Sequence, residues 1–262
     1  MKNSRRGFLK IAGLSFLGLA GGQALPGFAK TAPAPETAQK PVYQSGKQAL
    51  KAGQWGMVID TRKFDNPDIF TAVITACHKH HNVPDIGTRQ EVKWIWKDGY
   101  HQTFTDQMDN YPARAVIERR YLLLCNHCAS PACARVCPTR ATFRRPDGIV
   151  VMDYHRCIGC RTCMGGCPYG ARSYNFQSPR PFVADLNPTY PMRMRGVVEK
   201  CTFCSELLAI GKEPLCVKAS MGAITFGDLE DPDSGVRKLL AGNFTLRRKP
   251  SLGTEPSVYY IL

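Results

Sequence analysis

The chain has 262 residues, room for one large domain or two small ones, and carries 23 glycines, 19 prolines and 12 cysteines at a formal net charge of +14. That loop-rich texture needs cross-links beyond an apolar core, either disulfides or metal ligands. Past the first thirty residues no stretch approaches the ~18 apolar residues of a spanning helix, and no lysine–arginine block with interleaved aromatics points to nucleic acid.

The N-terminus reads as an export signal. Ser4-Arg5-Arg6-Gly7-Phe8-Leu9-Lys10 is a twin-arginine motif, followed by the apolar run Ile11 to Gly21 and a small-residue stretch ending Gly27-Phe28-Ala29. Signals of this kind are receptor-read addresses of the bacterial export route, which carries proteins already folded. The expected location is therefore the periplasm, with any attachment to the cytoplasmic membrane made through a partner. Removing residues 1–29 takes away Lys2, Arg5, Arg6 and Lys10 and no acid, leaving +10 over 233 residues. We read that charge as solvated surface plus compensation of anionic metal centres. Residues 30–53 are a Pro/Ala-rich linker and lead-in.

The remaining residues, 54–262, read as one domain. A first strand is expected over Trp55–Thr61, helical character over Phe70–His78 and a strand over Glu91–Lys97. A compact unit, 121–176, follows, with two short helices after cysteines and strands near Ala141–Arg144 and Ile149–Asp153 around the turn Pro146-Asp147-Gly148. A third cysteine region begins at Val197. It leads to a strand over Ala223–Phe226, a helix near Ser234–Leu240 and a last strand over Ser257–Ile261. The chain also repeats itself. Cys137-Pro138-Thr139-Arg140-Ala141 is echoed by Cys167-Pro168-Tyr169-Gly170-Ala171 and more faintly by Ser220-Met221-Gly222-Ala223. The fold class is α+β, built from duplicated bacterial-ferredoxin-like units with long loops and a structured C-terminal extension.

Cysteine spacing carries the chemistry. Cys157-x2-Cys160-x2-Cys163-x3-Cys167-Pro168 is the bacterial ferredoxin run, whose fourth cysteine serves the other cluster of a pair. Cys125-x2-Cys128-x4-Cys133-x3-Cys137-Pro138 is a variant with a longer middle gap. A tight loop brings three thiolates to three corners of one cubane, and the next cysteine, one helical turn on, points to the neighbouring one. Crossing the fourth ligands yields Cys125, Cys128, Cys133 with Cys167, and Cys157, Cys160, Cys163 with Cys137. Zinc sites pair two CxxC knuckles across a spacer instead, and cysteines this close in one loop are poorly placed for disulfides.

On these motifs, from Val58 onward, the chain resembles the four-cluster iron–sulfur subunits of the polysulfide and dimethyl sulfoxide reductase electron-transfer family. Members carry four cysteine groups, the inner two paired and the outer two paired. Here the outer groups are incomplete. Pro67, Phe70 and Val73 stand where the first triplet belongs before Cys77, and the last group is Cys201-x2-Cys204-x11-Cys216 with Ser220 in the fourth place. The resemblance implies a third cluster held by Cys201, Cys204, Cys216 and Cys77. The missing positions are the four that one outer cluster would need, so three [4Fe–4S] clusters are expected.

Softer motifs, His80-His81-Asn82-Val83-Pro84, Trp94-Ile95-Trp96 and the C-terminal Tyr259-Tyr260-Ile261-Leu262, are similar to the periplasmic subunits of membrane complexes associated with dissimilatory sulfite reduction. The implied partners are a polytopic, quinone-reactive NrfD-like membrane subunit, a multihaem cytochrome c and further redox subunits. The rivals are an electron-transfer subunit of a molybdopterin oxidoreductase and a free periplasmic ferredoxin. No catalytic site of the chain's own is expected, because no Walker loop, dinucleotide fingerprint or nucleophile elbow appears. His78, His80 and His81 have the chemistry to bind a metal or haem, but a solvated loop is the expectation there. His127 and His155 are expected to hydrogen-bond cluster sulfurs or backbone, and Trp94 and Trp96 to pack in the core from a strand.

Overall fold

The computed structural model describes residues 46–106 and 111–262. The expected signal, residues 1–29, and the linker up to residue 45 lie outside the described residues. The elements run β1 (Trp55–Asp60), α1 (Pro67–His80), β2 (Ile95–Asp98), α2 (Tyr100–Thr103), α3 (Arg114–Glu118), β3 (Tyr121–Leu124), α4 (Ala132–Arg135), β4 (Thr142–Arg144) and β5 (Val150–Met152). They continue with α5 (Thr162–Gly165), β6 (Ser173–Tyr174), β7 (Val198–Glu199), α6 (Ser205–Leu208), α7 (Leu215–Ala219), β8 (Ile224–Asp228), α8 (Gly235–Gly242), β9 (Thr245–Leu246) and β10 (Val258–Ile261), with three short 3-10 turns. The mixed content is α+β, as expected.

Strand pairing follows a rule. β2 pairs antiparallel with β3, β4 with β5, and β6 with β7. β8 then returns to pair antiparallel with β1, and β10 joins β1 in parallel, giving the sheet β8-β1-β10-β9. Every cysteine loop therefore sits between two strands that each pair outward with a strand of the neighbouring loop. The segment β1–α1–β2 occupies the same place in this cycle, although α1 carries only Cys77.

β1 is buried along its whole length because both faces are covered. Met57 and Ile59 enter the main core with Trp94, Tyr121, Leu122, Leu124 and Tyr260. Val58 faces the other way, where α8 covers it with Val236 beside Ile261. α1 starts where Asn66 accepts a hydrogen bond from the Asp68 amide and Pro67 takes the first helical position, whose N–H would be unsatisfied anyway. Its buried stripe, Phe70, Val73 and Cys77, has helical spacing and turns toward the core. No helix among the described residues is long and apolar enough to cross a membrane.

Two expectations are corrected. His78 and His80 lie in the last turn of α1 rather than in a solvated loop, and His81, its C-cap, is only 1% exposed. The helix runs further than expected because no glycine or proline stops it before Asn82, which takes a left-handed conformation (φ 52°). Trp94 precedes β2 instead of lying in it, but it is fully buried, as core packing requires.

Candidate iron–sulfur site

All twelve cysteines are free thiols, and they gather in fours. One hollow is lined by Cys137, Cys157, Cys160 and Cys163. In a second group, burial and then the neighbouring Cys125 push the Cys128 thiol up to about 12, with Cys133 and Cys167 adding to the effect. In a third, burial and then Cys201, Cys204 and Cys216 push Cys77 far above the ordinary thiol value. Cys77 arrives from α1, which packs against α7, the carrier of Cys216.

The loops share one backbone design. The residue before the second cysteine of each CxxC is left-handed: His127 (φ 41°), Gly159 (φ 70°) and Phe203 (φ 54°). That conformation turns the chain so that both thiols face the same side. At Gly159 a Cβ would lie 2.2 Å from the Gly196 carbonyl oxygen, so only glycine fits. The left-handed His127 and Phe203 stack on each other, ring centroids 3.7 Å apart, which joins the first loop to the third. The third cysteine of each group rides on a short helix, Cys133 on α4, Cys163 on α5 and Cys216 on α7. After the fourth position comes another left-handed turn, at Arg140 (φ 53°), Gly170 (φ 63°) and Met221-Gly222 (φ 50° and 86°). The sequence echoes are thus echoes of a backbone path.

Ser220 departs from the pattern. Fully buried, its hydroxyl donates to the Val217 carbonyl at 2.7 Å and accepts from the Ile224 amide at 3.0 Å. Both interactions are local, so the side chain is occupied with holding the turn.

Basic groups are buried among the thiols. Arg172, 5% exposed, donates to Cys133 Sγ at 3.1 Å and to Thr142 Oγ1 at 3.1 Å. It also draws the Cys163 thiol down against the upward push of burial, so it bridges the first two groups. Lys200, 1% exposed, donates to the carbonyls of Cys201 and Val150. At the exposed Cys160, the Thr162 hydroxyl donates at 3.4 Å and lowers the thiol. His127 meets its expectation through backbone, accepting the Val150 amide at Nδ1 (3.1 Å), and His155 lies at the surface. Spacing gave no sign of Arg172, Lys200, Thr254 or Ser257. Thr254 hydrogen-bonds Cys128, and Ser257 binds the His127 carbonyl (3.0 Å) from the far end of the chain.

Four thiols held together without a disulfide, all of them buried in the Cys77 group, have a donor set suited to iron. As thiolates they would repel and lose hydration, and a cubane of iron and sulfide supplies the positive centres that offset both costs. The arrangement defines a ferredoxin-like protein made to hold [4Fe–4S] clusters.

Known proteins share this framework. The 4Fe–4S dicluster domain family matches residues 121–180. The Hdr-like menaquinol oxidoreductase iron–sulfur subunit 1 of Archaeoglobus fulgidus is 36% identical, over 98% of this chain and 97% of its own. The iron–sulfur cluster-binding subunit of menaquinone reductase from Nitratidesulfovibrio vulgaris is 34% identical over 79% of this chain and 88% of its own. The B subunit of polysulfide reductase from Wolinella succinogenes is 33% identical over 71% and 84%. The chain belongs to this family of iron–sulfur electron-transfer subunits of oxidoreductases.

Proposed function

We propose that this chain is a periplasmic wire of three [4Fe–4S] clusters, of the DsrO type. In this reading it relays electrons between a quinone-reactive NrfD-like membrane subunit and further redox subunits, a multihaem cytochrome c among them, in a complex of sulfur metabolism. The ligand sets are Cys125, Cys128, Cys133 and Cys167; Cys157, Cys160, Cys163 and Cys137; and Cys201, Cys204, Cys216 and Cys77.

The observation that carries the proposal is the pattern of loss. α1 stands where the first cysteine loop of a four-cluster relative would be, with Phe70 and Val73 buried in the core, while Cys77 still reaches the thiols of the third loop. By resemblance, the lost cluster is the one that faces a molybdenum subunit. Cysteine–cysteine proximity supports a linear order for the rest: Cys201 lies near Cys125, and Cys163 near Cys133. The wire then runs from the buried Cys77 group to the group holding the exposed Cys160. The cluster chemistry supplies one-electron transfer, and this chain's residues set the spacing, the charge and the exclusion of water.

Affinity purification from detergent-solubilised membranes tests the proposal. The expected result is an NrfD-like membrane protein together with a haem-staining cytochrome. A stoichiometric molybdopterin subunit without cytochrome would replace it with the molybdopterin reading, and recovery of the chain alone would favour a free ferredoxin.

A further inference from the structure

Beside the Cys77 group three further side chains converge, one of which, His81, also brings its Nδ1 to 3.6 Å from Cys77 Sγ. His80 and His81 end α1, and Glu206 lies in α6, two residues after Cys204. One ring nitrogen of His80, one of His81 and a Glu206 carboxylate oxygen all lie within 4.8 Å of one another.

The hydrogen bonds of His81 fix its ring. Its Nδ1 lies 2.8 Å from the Cys77 carbonyl oxygen, which only accepts, so Nδ1 carries a proton. The lone pair of the neutral ring is then on Nε2, which faces Glu206 Oε1 at 2.9 Å. Two acceptors at that distance require a cation between them, either a proton or a metal ion. A proton on His81 serves that contact alone. It leaves His80 Nε2, buried and without a hydrogen-bond partner, 3.5 Å from the same Oε1. A metal ion serves all three atoms.

We propose that His80, His81 and Glu206 form a binding site for one divalent first-row transition ion of the zinc kind. Two ligand atoms each ~2.05 Å from a tetrahedral centre are about 3.3 Å apart. The separations of 2.9 and 3.5 Å bracket that value. Two imidazoles and one carboxylate are also a donor set that zinc takes with its fourth position open. The surrounding shell has the form of a metal site, because a ligating imidazole donates its other N–H to a carbonyl. The Asn187 Nδ2 is held by the His80 carbonyl at 2.7 Å, and its 3.4 Å approach to His80 Nδ1 is too long to fix that ring's tautomer. Tyr190 packs on both rings, with centroids 5.8 and 4.7 Å away, and Trp94 lies 4.7 Å from His81. His80 also lines a surface cavity with Lys79, Asp185 and Asn187, which provides a route of entry.

The test uses full-length, cluster-loaded protein equilibrated with Zn2+ and then desalted. About one zinc per chain is expected, with only nitrogen and oxygen in its first shell by X-ray absorption. His80→Ala and Glu206→Gln are each expected to lower retained zinc at least about tenfold with iron unchanged. Zinc below about a tenth of an equivalent, equal retention in both variants, or sulfur in the first shell would overturn the site. The zinc spectrum of the unsubstituted protein decides the matter even if a variant takes up less iron.

Discussion

Arg172 reaches from one thiol group to the next. A guanidinium cannot shed its charge, and here it is nearly sealed from water against Cys133, with Cys163 close by. Each reduction step adds an electron to an already anionic cluster, so a fixed positive charge favours the reduced state. Arg172→Met removes that charge while keeping much of the side chain's bulk. At an effective dielectric of ~20, a unit charge 4 Å away is worth about 4 kcal/mol, and cluster delocalisation reduces this. The midpoint potential of a central cluster is therefore expected to fall by on the order of 100 mV. Redox titration followed by EPR measures it, and an unchanged potential in a folded, iron-replete variant would count against this role for Arg172. The buried pair of Arg193 and Glu199, at 2.7 Å, is a different case. Both partners are neutralised within the pair, with Trp94 donating to the same carboxylate at 2.9 Å, so it ties β7 to the segment before β2 without adding net charge near the thiols.

At the scale of elements, α1 decides how many clusters the first segment serves. It lies in the strand cycle where a cysteine loop would be, yet its stripe of Phe70 and Val73 makes it a helix packed on the core, with Phe70 4.7 Å from Phe64. Cys77 is the one thiol it contributes, delivered sideways to the group on the third loop. Cys77→Ala should therefore lower iron by about four atoms per chain and leave the EPR signals of the two central clusters in place. Loss of the central signals instead would break this assignment. The C-terminal strand has a comparable reach. The segment before β10 runs along the first cysteine loop, with the Ala129 amide bonded to Glu255 at 2.8 Å and the Ser257 amide to Asn126 at 2.9 Å. A loop that carries four cysteines is thus held from the far end of the chain.

At the scale of the whole molecule, the three thiol groups account for all twelve cysteines. Anaerobically prepared protein is expected to hold about twelve irons and twelve acid-labile sulfides per chain. A reproducible content near sixteen would require a fourth cluster for which no cysteine remains, and one near eight would remove the Cys77 cluster. The Cys77 group is buried throughout, while Cys160 is exposed beside Ile158, which is 67% exposed.

The sequence alone carried the inner cluster framework, because that framework is local: the spacing of Cys157 to Cys167 is set by one loop and one helical turn. It also carried the strands of β1, β4, β5, β8 and β10, whose apolar runs are bounded by turn residues. It did not carry the buried cations. Arg172 and Lys200 look like surface charges until the tertiary structure buries them, Arg172 against Cys133 and Thr142 and Lys200 against the carbonyls of Val150 and Cys201, contacts mostly made by residues distant in sequence. At His80 and His81 the polar composition points to a solvated loop, and only the fold buries His81 against Trp94 and Glu206 while leaving His80 partly exposed beside them. The return of β8 to β1 is the same kind of fact. Pairing between strands more than 150 residues apart has no signal in local periodicity, and it was decided by the closure of the cycle that buries both faces of β1.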